Sequence, residues 1–390
     1  MSRDDPNSPK LLVIVTAAFG ELFMANHFVA GCAFRTAFAL CDAHFALNYA
    51  GLPGRTHRYL DLADLLSIVE EEAPQAVCLF SGYLLVHDRL LDGEELDRFL
   101  EELRRRGIKV VTSDPFLGLA SRFPYVNPKN PLEQILALPF GLVGEVLFGS
   151  LFPYLMRMGS SLKGIPHLYV VDPEEPGDVQ RLTFFNSHIR RNGREYGNPA
   201  KDRADLRDPG DWLFVLANSE YRPTVNGVES DFVPLLAEKL RETLGENRRP
   251  VLIAPQACID ALADDATLRK CVFLTNCDYN RYISLLLGAE RVFYWNIFSA
   301  SVMTPILNSV PTFFFGRGHV AEANGLMFEK GLARYYANCR LTYLDQKRAL
   351  KQAELADHAV LQETQLFQPF FQNVCGLPSP EDVIRQLLEA

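Results

Sequence analysis

Short, continuously apolar runs recur along this chain. Each is followed by a loop of small or polar residues and then by a segment with apolar positions at helical spacing. Lys10 to Thr16 (KLLVIVT) is the first such run, and Ala76 to Phe80, Gly107 to Thr112 and His167 to Asp172 repeat it. The pattern restarts at Trp212 to Ala217 and continues through Pro250 to Ala254, Cys271 to Thr275, Arg291 to Trp295 and Thr312 to Phe315. Runs without polar alternation suit parallel strands covered on both faces. His57 to Glu72, Glu94 to Arg106 and Phe232 to Leu244 read as amphipathic helices, Phe34 to Leu47 as a largely buried helix, and the chain after Tyr343 as helical. Strand and helix in alternation predict an α/β protein built on parallel sheets.

Between Asn186 and Asp211 the rhythm gives way to Arg, Asn, Asp and Gly, the composition of a domain boundary. The predicted organisation is a first domain over 1–185, a polar linker over 186–211 and a second domain over 212–360. Closing helices over 361–390 are placed to pack back on the first domain. One segment breaks the pattern. Leu136 to Met158 is strongly apolar, but Glu145 sits in its middle and Pro139, Gly141, Gly144, Gly149 and Pro153 interrupt it. A spanning helix needs roughly twenty unbroken apolar residues, so that reading is rejected. A buried helical pair between domains is preferred over an apolar flap that touches a membrane or a greasy acceptor.

Composition narrows the class. At 390 residues the chain can fill two cores, and 48% hydrophobic with 22% charged residues describes an ordinary globular protein. A net charge of -9 argues against a nucleic-acid surface, because phosphates call for clustered Lys and Arg. The 8 cysteines are scattered and form no CxxC pair, so no zinc or redox motif arises, and no metal site is predicted. The first residues lack the apolar core of a leader, which makes a cytoplasmic location the expectation.

The richest stretch runs from Tyr279 to Tyr336. Tyr279 to Gly288 predicts a short helix whose apolar side holds Tyr282, Ile283, Leu285, Leu286 and Leu287, with Gly288 as a left-handed terminator. After the Arg291 to Trp295 strand, Asn296-Ile-Phe-Ser-Ala-Ser301 opens a second helix, and Asn308-Ser-Val-Pro311 breaks it. Gly316-Arg-Gly-His319 and Val320 to Asn324 then open a third. A small hydroxylic residue at a helix start leaves backbone N–H groups open to an anion; equally, Ser299 or Ser301 is an ordinary N-cap there.

Leu286-Leu-Gly-Ala289, Ser299-Ala-Ser301, Asn308-Ser-Val-Pro311 and Glu322-Ala-Asn324, in this order, resemble the donor-binding half of the GT-B glycosyltransferases. Two positions depart from that pattern. Ser and Ala stand where the family has a glycine before the helix, and Ser309 replaces the glycine before Val-Pro. The resemblance implies two Rossmann-like domains facing across a cleft. It also implies transfer of a sugar from a nucleotide-sugar donor to a small-molecule acceptor, inverting and metal-independent, with the nucleotide sugar as co-substrate and no other cofactor. The alternatives are a sugar-nucleotide epimerase of the same fold, or a degenerate relative that binds a ligand or partner without turnover.

Inversion needs a base for the acceptor hydroxyl and positive charge for the leaving diphosphate. By the resemblance, the base is a histidine after the first strand, here His27, partnered by Asp114; Glu21 and Asp114 are its rivals, and His27 merely satisfying a turn is the plainer reading. On the donor side the resemblance and the loop positions nominate Asn218, Ser219, Arg222, Gln256, Asn296, Ser299 and Ser301. Arg317 and His319 are placed to meet the diphosphate, and Glu322 and Asn324 to hold sugar or ribose hydroxyls. Glu322 also suits a plain exposed acid in a first helical turn.

Overall fold

The computed structural model describes residues 8–45, 52–113, 164–170, 180–189, 210–218, 231–275, 279–318 and 332–390, together with 162, 220–221, 277 and 329. Two parallel sheets organise them. The first contains β1 (Lys10–Val15), β2 (Arg35–Leu40), β3 (Arg55–Arg58), β4 (Ala76–Phe80), β5 (Lys109–Ser113), β6 (His167–Tyr169) and β7 (Arg181–Thr183). Their spatial order is β3-β2-β1-β4-β5-β6-β7. The second contains β8 (Asp211–Val215), β9 (Arg249–Ile253), β10 (Val272–Leu274), β11 (Arg291–Tyr294) and β12 (Thr312–Phe314), ordered β10-β9-β8-β11-β12. Both sheets are doubly wound. The strand order reverses beside β1 in one and beside β8 in the other, the crevices where such sheets take ligands.

The apolar runs behave as covered strands. Leu11, Leu12, Val13 and Val15 of β1 are fully buried, paired in parallel with β2 on one side and β4 on the other. In the second sheet β11 lies between β8 and β12, with Phe293 level with Phe214 and Phe313. The Phe214 and Phe293 rings stack at 4.7 Å, and Phe293 and Phe313 at 5.5 Å. Aromatic pairs of this kind add about 0.5–1.5 kcal/mol beyond burial, which gives the Phe-rich strand sequence its purpose.

The chain forms two compact units, residues 1–188 with 324–335 and 374–390, and residues 189–323 with 336–373. In the first unit α1 (Phe19–Val29) sets Leu22, Ala25, Phe28 and Val29 against β1, β2 and β4. Also in this unit are α2 (Asp42–Phe45), α3 (Leu62–Glu72), α4 (Gly82–His87) and α5 (Gly93–Arg105). The second unit has α6 (Phe232–Gly245), α7 (Gln256–Leu262), α8 (Tyr279–Gly288), α9 (Met303–Leu307), α10 (Gln352–Gln362) and α11 (Gln368–Val374). The last helix, α12 (Pro380–Glu389), returns to the first unit, where Val383, Ile384 and Leu387 join the core around β1.

Several expectations change. Phe34 to Leu47 is not a helix: it gives strand β2 and the single-turn α2. Its apolar run is short enough to fit either state, and the free edge of β1 decides the outcome by pairing with it. The predicted helix from His57 begins only at Leu62, because Asp61 caps it by accepting from the Asp64 N–H at 3.0 Å, while His57 lies in β3. Gly288 ends α8 without a left-handed backbone, since the positive-φ glycines among the described residues are 31, 54, 107, 210 and 318. Among the described residues no helix is long and apolar enough to cross a membrane. The Leu136–Met158 segment lies outside the described residues.

Candidate functional site

In the second unit the strand ends meet at the crevice between β8 and β11. Glu220 follows β8 and Asn296 follows β11, and Asn296 Nδ2 donates to Glu220 Oε1 at 2.9 Å across the point where strand order reverses. Asn296 Oδ1 accepts from the Phe298 N–H at 2.7 Å, which folds the loop back on itself. Beyond β12 the chain passes so close that a Cβ on Gly318 would lie 2.6 Å from Asn296 Oδ1, and its φ of +103° suits glycine. The Ile297 N–H donates to the Arg317 carbonyl at 3.4 Å. Tyr336 Oη donates to the Ile297 carbonyl at 2.5 Å. Asn296 therefore ties three strand-end loops together.

Ser299 and Ser301 stand one step further along. Ser299 makes no side-chain cap bond to the turn that follows it, so the plain N-cap reading does not describe it. Its Oγ lies 3.0 Å from Ser301 Oγ instead. Ser301 is buried and bonded to Tyr282 Oη at 2.7 Å and Tyr294 Oη at 3.2 Å. Burial raises both phenols above the ordinary tyrosine range. Asn218 and Gln256 are exposed at the ends of β8 and β9, with Gln256 Nε2 donating to Asp260 at 2.6 Å. The Arg317 side chain is exposed in the glycine-flanked loop. Ser219, Arg222, His319, Glu322 and Asn324 lie outside the described residues.

In the first unit Glu21 lies in the first turn of α1, at the carboxyl edge of β1, and accepts from Ser113 Oγ at 3.2 Å. Ser113 ends β5, so the bond brings Glu21 to the end of that strand; Asp114, the next residue in sequence, lies outside the described residues. His27 is elsewhere. It lies in the last turn of α1, 1% exposed, with its ring 5.6 Å from that of Phe184 and its carbonyl accepting from Asn186 Nδ2 at 2.6 Å. Burial pulls its imidazole down to about 3. That setting suits a neutral packed ring rather than an acceptor-facing base, which needs reach to the proton and a pKa near the working pH.

Some residues at these edges carry no sequence signal of their own. Glu220 directly follows the nominated Asn218 and Ser219 yet looks like any helix-start acid. Tyr282 and Tyr294 read as apolar-face and strand aromatics, and only their hydroxyl contacts distinguish them. His44, in α2, places Nε2 at 2.5 Å from the Thr16 carbonyl at the end of β1. Burial lowers its pKa against the pull of that carbonyl and of Asp88.

One group of metal-ligand type stands among the described residues, His57, Glu71 and Glu72. It is already neutralised. Glu72 Oε1 meets His57 Nε2 at 2.7 Å and Arg55 at 3.0 Å, its Oε2 meets Lys10 Nζ at 2.9 Å, and Arg55 holds Glu71 at 2.6 Å. Burial works to raise the Glu72 pKa, but the Lys10 and His57 bonds with the Lys10 and Arg55 charges outweigh it, and the carboxyl is held below its usual range. Lys10 opens β1 and Glu72 closes α3, so the cluster occupies the edge opposite the strand ends just described.

Among solved structures the chain is similar over nearly its whole length to Os79 from O. sativa in complex with U2F and trichothecene, at 12% identity and a TM-score of 0.52, covering 97% of this chain and 99% of that one. Os79 in complex with UDP gives 13% identity and a TM-score of 0.50 over 97% and 99%. UGT89C1 from Arabidopsis thaliana, complexed with UDP, gives 11% and 0.49 over 98% and 99%. No family model and no curated protein matches the sequence. The two doubly wound parallel sheets and the Os79 likeness define the architecture. The chain has the GT-B glycosyltransferase fold.

Proposed function

We propose that the protein is a glycosyltransferase that moves a sugar from a nucleotide-sugar donor to a small-molecule acceptor, with inversion and without a metal ion. The observation that carries this reading is the Glu220–Asn296–Gly318 closure at the β8/β11 crevice, in a chain of GT-B fold. Three loops held together at a strand-order reversal make a preorganised ligand edge. The UDP bound in one Os79 structure supports a nucleoside diphosphate as the ligand for that edge.

In this reading the donor lies on the second unit, with Asn218, Ser219, Arg222, Gln256, Asn296 and Ser299 around the nucleotide and its phosphates. Glu322 and Asn324 take hydroxyls, as their paired acceptors and donors suit. Arg317 and His319 meet the charge of the departing diphosphate. Glu21 takes the proton from the acceptor hydroxyl, with Asp114 as the rival base, because Glu21 sits at the edge of β1 where His27 does not. The acceptor oxygen then bonds to the anomeric carbon as the bond to the diphosphate breaks on the opposite face.

Thermal-shift titration with UDP, GDP, TDP, ADP and CMP species tests the reading. The matching nucleotide at a hundredfold excess over its Kd stabilises the fold by about 2.7 kcal/mol. A melting temperature unmoved by all five removes the donor site.

A further inference from the structure

A serine hydroxyl offers one donor and two acceptor positions. Ser301 Oγ has three partners within bonding distance: Tyr282 Oη at 2.7 Å, Ser299 Oγ at 3.0 Å and Tyr294 Oη at 3.2 Å. Its capacity is therefore consumed inside the protein, at 3% exposure. The two phenols are buried as well, so their protons must stay within this set of hydroxyls or near it. Ser299 differs. It is half-buried at the loop surface, gives nothing to the following turn, and has Ser301 as its side-chain partner among the described residues. Whichever way the protons run, half-buried Ser299 keeps bonding capacity and Ser301 keeps none.

We infer that Ser299, not Ser301, is the hydroxyl that meets the donor's phosphoryl oxygens, and that Tyr282 and Tyr294 are positioning residues that hold it there through Ser301. The inference rests on the glycosyltransferase reading and adds to it which hydroxyl binds and what orients it. Tyr282 comes from α8 and Tyr294 from the end of β11, so the relay fixes the Ser299 loop to two rigid elements. A side chain locked by buried partners pays little entropy on binding, which is the advantage of orienting a surface hydroxyl from within.

Calorimetric titration of the full chain with UDP and GDP tests this, using Ser299→Ala, Ser299→Thr, Ser301→Ala, Tyr282→Phe, Tyr294→Phe and the double variant Tyr282→Phe/Ser299→Ala. Ser299→Ala weakens binding about tenfold or more, the loss expected for a hydrogen bond to a charged group, and Ser299→Thr restores most of it. Each Tyr→Phe change weakens binding several-fold in the wild-type background. In the Ser299→Ala background Tyr282→Phe adds nothing, because the hydroxyl it positions is gone. A Tyr282→Phe loss of equal size in both backgrounds means mere loosening of the loop and overturns the relay. So does binding that Ser299→Ala leaves untouched, or that Ser301→Ala alone abolishes. The Ser299 pair, being half-buried, decides the first half of the inference even where a tyrosine variant does not fold. A wild-type chain that binds neither UDP nor GDP moves the titration to TDP, ADP and CMP, and binding to none of the five overturns the glycosyltransferase reading and the relay with it, whereas binding with insensitive variants overturns the relay alone.

Discussion

Ser309 and His27 show how much one position can carry. Ser309 stands where the resembling family has glycine, and its φ is +53° on an exposed turn before Val310-Pro311. A left-handed backbone costs an L-residue about 1–2 kcal/mol, and glycine removes that cost while adding some unfolded-state entropy. Ser309→Gly therefore raises stability by up to about 1 kcal/mol in urea unfolding; a loss of stability means the Ser309 side chain contributes more than its backbone costs. His27 has a folded-state pKa of about 3 against 6.5 when exposed. As the pH falls the unfolded chain takes up the proton first. The stability tied to the neutral ring is whole above about 6.5 and is lost at up to about 1.4 kcal/mol per pH unit down towards 3. His27→Leu should flatten that loss between pH 7 and pH 5, read as the change in urea midpoint at each pH. An unchanged acid profile would mean the ring is not buried neutral. The resemblance nominated His27 by its place after the first strand, whereas α1 begins at Phe19 and carries His27 to its far end. The nomination of Asn296 rested on position after a strand, and its contact with Glu220 required the fold, since nothing in a sequence relates the ends of β8 and β11.

At the scale of elements, legibility followed the short apolar run. Strands buried on both faces, such as β1, β4, β8 and β11, were plain from composition alone. Those at the edges of the first sheet were not: β3 is the polar run Arg55–Arg58 and β7 is the short Arg181–Thr183, and each exists because a neighbour offers unpaired backbone, while the interior strand β2 was read as part of a helix. Helix α12 falls in the closing stretch read as helical, and its start is capped. Ser379 accepts from the Asp382 N–H at 3.2 Å and Asp382 reaches back to Ser379, with Pro380 at the first position. Its apolar face covers the first unit's core through Val383, Ile384 and Leu387. Ile384→Ala should cost about 2–5 kcal/mol by leaving a cavity, and Ser379→Ala about 1 kcal/mol by freeing the cap. Chemical denaturation of the two variants checks both, and equal small effects would show that α12 does not pack as part of that core.

For the whole molecule, the chain builds one doubly wound unit, then a second, and spends its last residues on the first. Each unit has its own core, so each has its own source of stability. The two should therefore respond to different perturbations. Removing residues 376–390 strips three buried apolar residues from the first core and none from the second, so calorimetry should show a lowered transition for one unit while the other holds its temperature. A saturating nucleoside diphosphate acts on the β8/β11 edge and should raise the second unit's transition, by about 2.7 kcal/mol at a hundredfold excess over Kd. In the truncated chain that rise should persist, because the nucleotide edge draws nothing from α12. If truncation instead abolishes the nucleotide response while the second transition stays in place, the ligand depends on the first unit for its binding. A truncation that lowers both transitions together would mean that the cores fold as one cooperative body.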